Sequence, residues 1–385
     1  MKLLFASDSF KGSLTSGETA ALLDRAAHTV FKNVETANVP VADGGEGTVD
    51  AVVEAMNGER ITTQVSGPLG QLVPAVYGVI GGKKAVIEMA AASGLPLVPE
   101  ELRNPLYTTS YGTGELIRDA LDKGFRDISI AIGGSATNDG GIGCMQALGV
   151  KFLDENGNEL TGKGSDLIHI RNVDASGLDA RARKTTFTVM CDVTNPLCGA
   201  EGATYTFGPQ KGGTKEILDA LEAGMKNYRD VIVDTFSVNP DEIQGSGAAG
   251  GLGTALLVFL HAELKSGVDT VLDLIDFDNR LRGVNLVVTG EGRSDWQSCY
   301  GKVMQGVGNR CRRAGIPAVG LSGSLGRGAE MLYNEGILSL MTTVDAPMEL
   351  SEAMERANDL YYSAAVRMFR MIRTGMKIAG ETVAR

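Results

Sequence analysis

The chain has 385 residues, 43% of them hydrophobic and 22% charged, a composition that buries sizeable cores and excludes a disordered tail or a coiled coil. At the usual ~100–200 residues per domain it predicts two domains, or three small ones. With 36 basic against 47 acidic residues the formal charge is −11, which argues against a nucleic-acid partner and requires a local basic pocket for any acidic ligand.

The opening residues reach an acid at Asp8, too early for the apolar core of a secretory signal. No apolar run approaches the ~18–20 residues of a membrane span, so a cytoplasmic protein without a membrane partner is expected. Residues 2–7 read as a strand, and Thr15 with Glu18 forms a capping-box pattern that opens a helix over 19–31. A second such unit follows, with a strand over 34–42, the loop Asp43-Gly44-Gly45-Glu46-Gly47 and a helix over 48–56. Repeated strand-loop-helix units predict a parallel, doubly wound sheet, with Asp8 and Asp43 at the carboxyl edge where ligands bind.

From 60 to 89 the texture changes to alternating β-branched segments broken by glycines, which predicts hairpins and a new domain. Further on, residues 114–122 read as a helix, 128–132 as a strand running into GGSATNDGG, and 185–191 as a strand ending at Asp192 before Thr194-Asn195-Pro196. Residues 253–264 read as a helix, 285–289 as a strand ending in Gly290-Glu291-Gly292, and 316–321 as a strand before SGSLGRG.

Glycine is the outlier: 51 residues, about 13% against a usual ~7%. Much of the excess lies in four loops of one design, SDSFKGS from Ser7, ADGGEG from Ala42, GGSATNDGG from Gly133 and TGEGRSD from Thr289. Glycine lets backbone N–H groups approach a phosphate closely, and interleaved carboxylates can hold Mg²⁺. Phosphoryl transfer rests on that pairing of positioning and charge neutralisation, so a nucleotide-dependent kinase is the natural reading. Each acid alone could equally cap a helix or form a turn.

Other chemistries fit less well. Gly157-x4-Gly162-Lys163 is followed by Gly164, where a Walker A loop needs Ser or Thr. Gly245-Ser246-Gly247-Ala248-Ala249-Gly250 matches GxGxxG, but Asn239 to Glu242 ahead of it are no apolar strand, so it is discounted as a dinucleotide site. His28, His169 and His261 lie outside the glycine loops, which points to a carboxylate as any general base. The five cysteines, Cys144, Cys191, Cys198, Cys299 and Cys311, form no CxxC pair and are expected as reduced thiols.

With these loops the sequence resembles the bacterial glycerate kinase family of the type that uses neither a P-loop nor a ribokinase fold. The resemblance rests on DSFKGSLTS from Asp8, PVADGGEGT from Pro40, VIEMAAASGL from Val86, TTSYGTGELI from Thr108, IGGSATNDGG from Ile132, CDVTNPLCG from Cys191, FGPQKGGT from Phe207, GAAGGLG from Gly247 and TGEGRSDWQS from Thr289. It implies two α/β domains: a flavodoxin-like, doubly wound parallel sheet domain from residues 1–60 and 285–385, and an inserted α/β domain, 61–284, resembling the restriction-endonuclease fold. The active site would lie in the cleft between them. The implied activity is ATP-dependent phosphorylation of D-glycerate with Mg²⁺, usually at the 2-hydroxyl to give 2-phospho-D-glycerate, by a monomer or homodimer. It would serve the breakdown of glucarate, galactarate or glyoxylate-derived glycerate. The departures are Met304 where proline is expected, and bulky Trp296 and Tyr300 beside it.

On this reading Gly134, Ser135 and Asn138 cradle phosphates, Lys11 neutralises the transferring phosphoryl group, and Arg293 binds the substrate carboxylate bidentately. Asp43, Glu46 and Asp192 compete for Mg²⁺ binding and general-base duty. Ser9, Gly44, Gly45, Asp139, Asn195, Glu291, Asp295 and Lys302 complete the expected substrate and phosphate contacts. The alternatives are a 3-phosphoglycerate-forming enzyme, a kinase for another small hydroxy acid, a non-catalytic anion sensor, or a carrier of FMN.

Overall fold

Five short strands pair into one wholly parallel sheet in the computed structural model of the chain, which describes residues 1–383. In sheet order they are Glu35–Asn38, Lys2–Phe5, Leu286–Thr289, Ala318–Ser322 and Ile337–Thr342. Numbered along the unit this order is 2-1-3-4-5, so the winding reverses between Lys2–Phe5 and Leu286–Thr289. A parallel sheet has to be covered on both faces, which is why its central strands are mostly apolar.

Leu3, Phe5, Leu286 and Val288 face one layer, where helix Ser16–Val30 and the 27-residue helix Ala357–Val383 pack through Leu23, Ala27, Ala364 and Phe369. The first of these helices starts as its sequence predicts: Thr15 Oγ1 accepts from the Glu18 N–H at 3.2 Å, and Glu18 returns a carboxylate to the Thr15 N–H at 2.8 Å. Helix Val303–Ala314 covers part of the opposite face. There Met304, fully buried, lies over Gly320, whose missing Cβ would stand 2.6 Å from the Met304 Cε. The unexpected methionine thus fills the space that the glycine opens.

This sheet and its helices form one compact unit, Met1–Asp43 with the chain from Val268 onward, and Gly44–Gly267 forms the other. The second unit is built on a mixed six-stranded sheet in the order Glu263–Lys265, Thr186–Met190, Asp127–Ala131, Lys84–Glu88, Leu72–Ile80 and Glu59–Ser66. The last three run antiparallel, the hairpins that the alternation over 60–89 predicts, and the others are parallel. The protein is therefore of the mixed α/β class with parallel sheets.

Two expectations shift. The first crossing between units falls at Asp43–Gly44 and not near residue 60, because helix Thr48–Met56 packs on the second unit's sheet: Gly78 has no side chain, and a Cβ there would meet Val53 at 2.6 Å. The return crossing at Gly267–Val268 likewise precedes the expected 285. The helix predicted over 253–264 spans Leu252–Leu260; His261 then enters the left-handed region at φ 51°, and Glu263–Lys265 pairs as a strand. The GxGxxG segment follows a 3-10 turn, Pro240–Glu242, in place of a strand. All five cysteines are free thiols, and no described helix is long and apolar enough to cross a membrane.

Gly44 has φ 86°, and a Cβ there would stand 2.6 Å from the Gly267 Cα. Gly44→Ala is expected to destabilise the fold by about 1–3 kcal/mol, from a left-handed backbone and a backbone clash together. Thermal unfolding checks this, and an unchanged Tm would contradict it.

Candidate active site

The parallel ladder between the first and third strands of the five-stranded sheet continues past both of them. Ala6 N–H donates to the Val288 carbonyl and Asp8 N–H to the Gly290 carbonyl, each at 2.9 Å. Two loops that begin 282 residues apart in sequence, Asp8 and Gly290, are zipped together, and the carboxylates of Asp8 and Glu291 emerge side by side where the winding reverses. In an open α/β sheet this is the place where ligands bind.

A pocket of about 550 Å³ opens there. Its polar end is lined by Asp8, Ser9, Lys11, Glu291, Arg293 and Lys302. Burial, and then the neighbouring Asp43 and Glu291 charges, push the Asp8 carboxyl up to about 6, against the pull of the Ser9 N–H and Lys11. The Ser9 N–H donates to Asp8 Oδ1 at 2.7 Å. Glu291 is also raised by burial, offset by hydrogen bonds from Ser298 and Ser294 and by the Lys302 charge; the Ser294 hydroxyl lies 2.9 Å from its Oε1.

Lys302 is the counter-charge. Its Nζ donates to Asp43 Oδ2 at 2.8 Å, an ion pair spanning 259 residues of sequence. Burial works against its charge, but Asp43, Glu291 and Asp8 together hold its pKa above the usual lysine value. Arg293, with its side chain 69% exposed, touches Asp295 at 3.4 Å. Asp295 itself caps the short turn Trp296–Cys299 by accepting from the Gln297 N–H at 2.9 Å, a structural duty that also fixes Arg293. Lys11 is exposed, on a loop closed by the Phe10 N–H donating to the Leu14 carbonyl at 2.7 Å.

Seven of the expected residues, Ser9, Lys11, Asp43, Glu291, Arg293, Asp295 and Lys302, thus gather in this unit. Asp8 was read from sequence as one of several acids at the sheet edge and was not singled out; the signal was its place at the end of the first strand. Ser294 and Ser298, which steady Glu291, carry no sequence signal beyond their loop.

In the other unit the glycine loops are arranged differently from expectation. Glu88 accepts from the Val49 N–H at 2.7 Å and from the Gly47 N–H, so a carboxylate of the protein occupies the helix N-terminus behind Gly44, Gly45 and Glu46. Glu46 is exposed. Gly133 and Gly134 are exposed at the tip of their loop, but Asn138 and Asp139 are fully buried and face no opening. Asp139 accepts from the N–H and hydroxyl of Ser110, both at 2.7 Å, and from the Gly141 N–H at 3.0 Å. Asn138 donates to Thr204 at 3.1 Å. Lys211, buried to 2% exposure, donates to the Thr137 carbonyl at 2.6 Å. These contacts make the stem of the loop part of the core, so Asn138 and Asp139 brace it where phosphate contact was expected. Ser135, nearly buried, bridges to Gly94. Asp192 is exposed and accepts from the Gly267 N–H at 3.0 Å; Asn195 donates to the Glu201 carbonyl at 2.7 Å.

These placements separate an acid held in the core from one that opens on the pocket. Asp139→Ala is expected to cost about 2–4 kcal/mol, since it strands the buried Ser110 and Gly141 donors; an unchanged Tm would contradict the bracing role. Asp8 should behave oppositely. Its folded-state pKa is raised, so its contribution is fully present below about pH 4 and is lost as pH rises through about 6. Above pH 6 the carboxylate weighs on the fold, and Asp8→Asn should raise Tm by a few degrees at pH 8 but not at pH 4, while lowering kcat.

The sequence profile of the glycerate kinase family matches residues 3–373. A glycerate kinase of Bacillus subtilis (strain 168) is 47% identical over 358 residues, covering 93% of this chain and 94% of that protein. A glycerate 2-kinase of Escherichia coli (strain K12) is 44% identical over 381 residues, covering 99% and 100%. A solved structure from Salmonella typhimurium LT2, of a provisionally named glycerate kinase 2, superposes with a TM-score of 0.88 at 42% identity and covers 98% of this chain and 99% of that one.

Proposed function

The chain belongs to the glycerate kinase family, and from that premise we propose that it transfers the γ-phosphoryl group of ATP to the 2-hydroxyl of D-glycerate, giving 2-phospho-D-glycerate and ADP. One observation carries the assignment to this site: three cationic side chains, Lys11, Arg293 and Lys302, converge with buried carboxylates where the parallel sheet reverses its winding. The name of the Escherichia coli relative supports the 2-hydroxyl. The 2-1-3-4-5 strand order supports a flavodoxin-like reading of the first unit, and the inserted mixed sheet is the basis for comparing the second with the restriction-endonuclease fold.

The chemistry asks little of the protein beyond position and charge. Arg293 binds the glycerate carboxylate through its planar fork. The 2-hydroxyl oxygen attacks the γ-phosphorus as the bond to the β-phosphate oxygen breaks, and ADP leaves. Asp8 accepts the hydroxyl proton; a carboxyl whose pKa lies near 6 is ionised at neutral pH yet basic enough for the task. Lys11 and Lys302 neutralise charge on the transferring group. In the second unit the exposed Gly134 and neighbouring Ser135 are candidates for phosphate contact through backbone N–H groups.

Among the described residues no three carboxylate, histidine or cysteine side chains form a ready metal cage. Mg²⁺ keeps most of its waters and takes one or two protein carboxylates besides nucleotide phosphates. One or two of Asp43, Glu46 and Asp192 would hold it, and the bound ion would supply charge neutralisation at the phosphates. We assign the protein to the cytoplasm by its substrates.

Lys11→Ala and Asp192→Ala are each expected to lower kcat by at least ~10²-fold. Arg293→Ala should raise KM for D-glycerate by about 10–100-fold and leave KM for ATP nearly unchanged. The assignment is tested by incubating the protein with ATP, Mg²⁺ and D-glycerate and identifying the product by phosphorus NMR. 2-Phosphoglycerate is expected; 3-phosphoglycerate would move the substrate pose, and no ADP release would overturn the kinase reading for this chain.

A further inference from the structure

The pocket at the sheet reversal has a second, apolar end. Its floor is Phe10, Leu14 and Tyr361, with Phe10 packed edge-on against Tyr361 at 5.2 Å between ring centroids. Its wall is Leu350, Ala353 and Met354 on the helix Leu350–Glu355. Leu350 is 74% and Met354 39% exposed, the Met354 Cε lying over Gly12, so both apolar side chains at this end keep surface in water. At about 550 Å³ the pocket lies within the ~300–1,000 Å³ range of sites that take drug-sized ligands. A three-carbon acid would leave most of it empty.

The chemistry of the two substrates decides which belongs there. Every carbon of D-glycerate carries oxygen, so seating it against leucine and methionine would desolvate polar groups without giving them partners. The adenine of ATP is the one flat aromatic ring in either substrate, and covering its faces with Leu350 and Met354 is favourable. Methionine adapts its shape to an aromatic ring and makes favourable sulfur contacts with it. The chain also fixes the direction of the rest of the nucleotide: Lys11 directly follows Phe10 on the loop that forms the floor, so a cation stands beside the apolar end.

We propose that this apolar end is the adenine subsite, with the ATP phosphates running from it toward Lys11 and the carboxylate end of the pocket. This rests on the kinase reading given above. The subsite also predicts tolerance of D-glycerate binding to changes in its wall, because the two substrates occupy opposite ends.

The test measures ADP affinity by calorimetry, and D-glycerate KM by steady-state kinetics, in the full-length protein and two variants. Leu350→Ala/Met354→Ala removes exposed side chains with little risk to folding, and Ala353→Trp fills the space. The double variant should weaken ADP binding about 3–10-fold and Ala353→Trp about 10-fold or more, with D-glycerate KM within about twofold of wild type in the double variant. ADP affinity unchanged in both variants would overturn the subsite while leaving the kinase reading intact. A rise in D-glycerate KM with ADP affinity unchanged would also overturn it, by giving this end to the other substrate. Weakened ADP binding in the variants, from a wild-type protein that binds ADP but does not phosphorylate D-glycerate, would support the subsite and sink the kinase reading.

Discussion

The structure turns on the placement of like charges. Asp8 and Glu291 are brought together by the backbone ladder of two adjacent parallel strands, Asp43 joins them from the end of the first crossing, and each is at least partly removed from water. Such an arrangement is unfavourable unless something compensates. Lys302 does so for Asp43 directly and for the other two at longer range, while the serine hydroxyls at 294 and 298 satisfy Glu291. Removing the lysine would leave three carboxylates with Lys11 and the exposed Arg293 as the nearby cations.

That balance fits the phosphoryl transfer proposed for the pocket. A site already poised between opposing charges can receive a nucleotide's negative charge on its cations and a proton on the raised Asp8 carboxylate. The energy stored in the raised Asp8 carboxyl is lost stability that the sheets and helices around it must offset. The covered layers on either side of the five-stranded sheet, and the capped helix after the first loop, supply that support with ordinary packing.

Much of the fold was legible in the sequence because it is written locally. The Thr15/Glu18 capping box, helix Thr48–Met56 and the apolar strand Leu286–Thr289 each announce themselves within a few residues. What was not legible depends on distant partners. Lys302 meets Asp43 across 259 positions, and nothing near either residue reveals it. Asp8 looks like any turn-forming acid until Gly290 and Glu291 are seen beside it. Asn138 and Asp139 fail in the opposite sense: their motif has the composition of a phosphate loop. Close approach at Gly250, where a Cβ would stand 2.1 Å from the Thr137 carbonyl, draws their segment into the core. The ADGGEG loop misleads similarly, since Glu88, from a strand that follows, fills the helix end behind it.

Transfer of the phosphoryl group in the pocket at the sheet reversal, as proposed, requires both substrates to bind there. A crystal structure of the protein grown with ADP and D-glycerate tests it most directly. The glycerate carboxylate is expected on Arg293, its 2-hydroxyl within hydrogen-bond reach of Asp8, and the nucleotide phosphates near Lys11. Both ligands bound away from Asp8, Glu291 and Lys302 would contradict it.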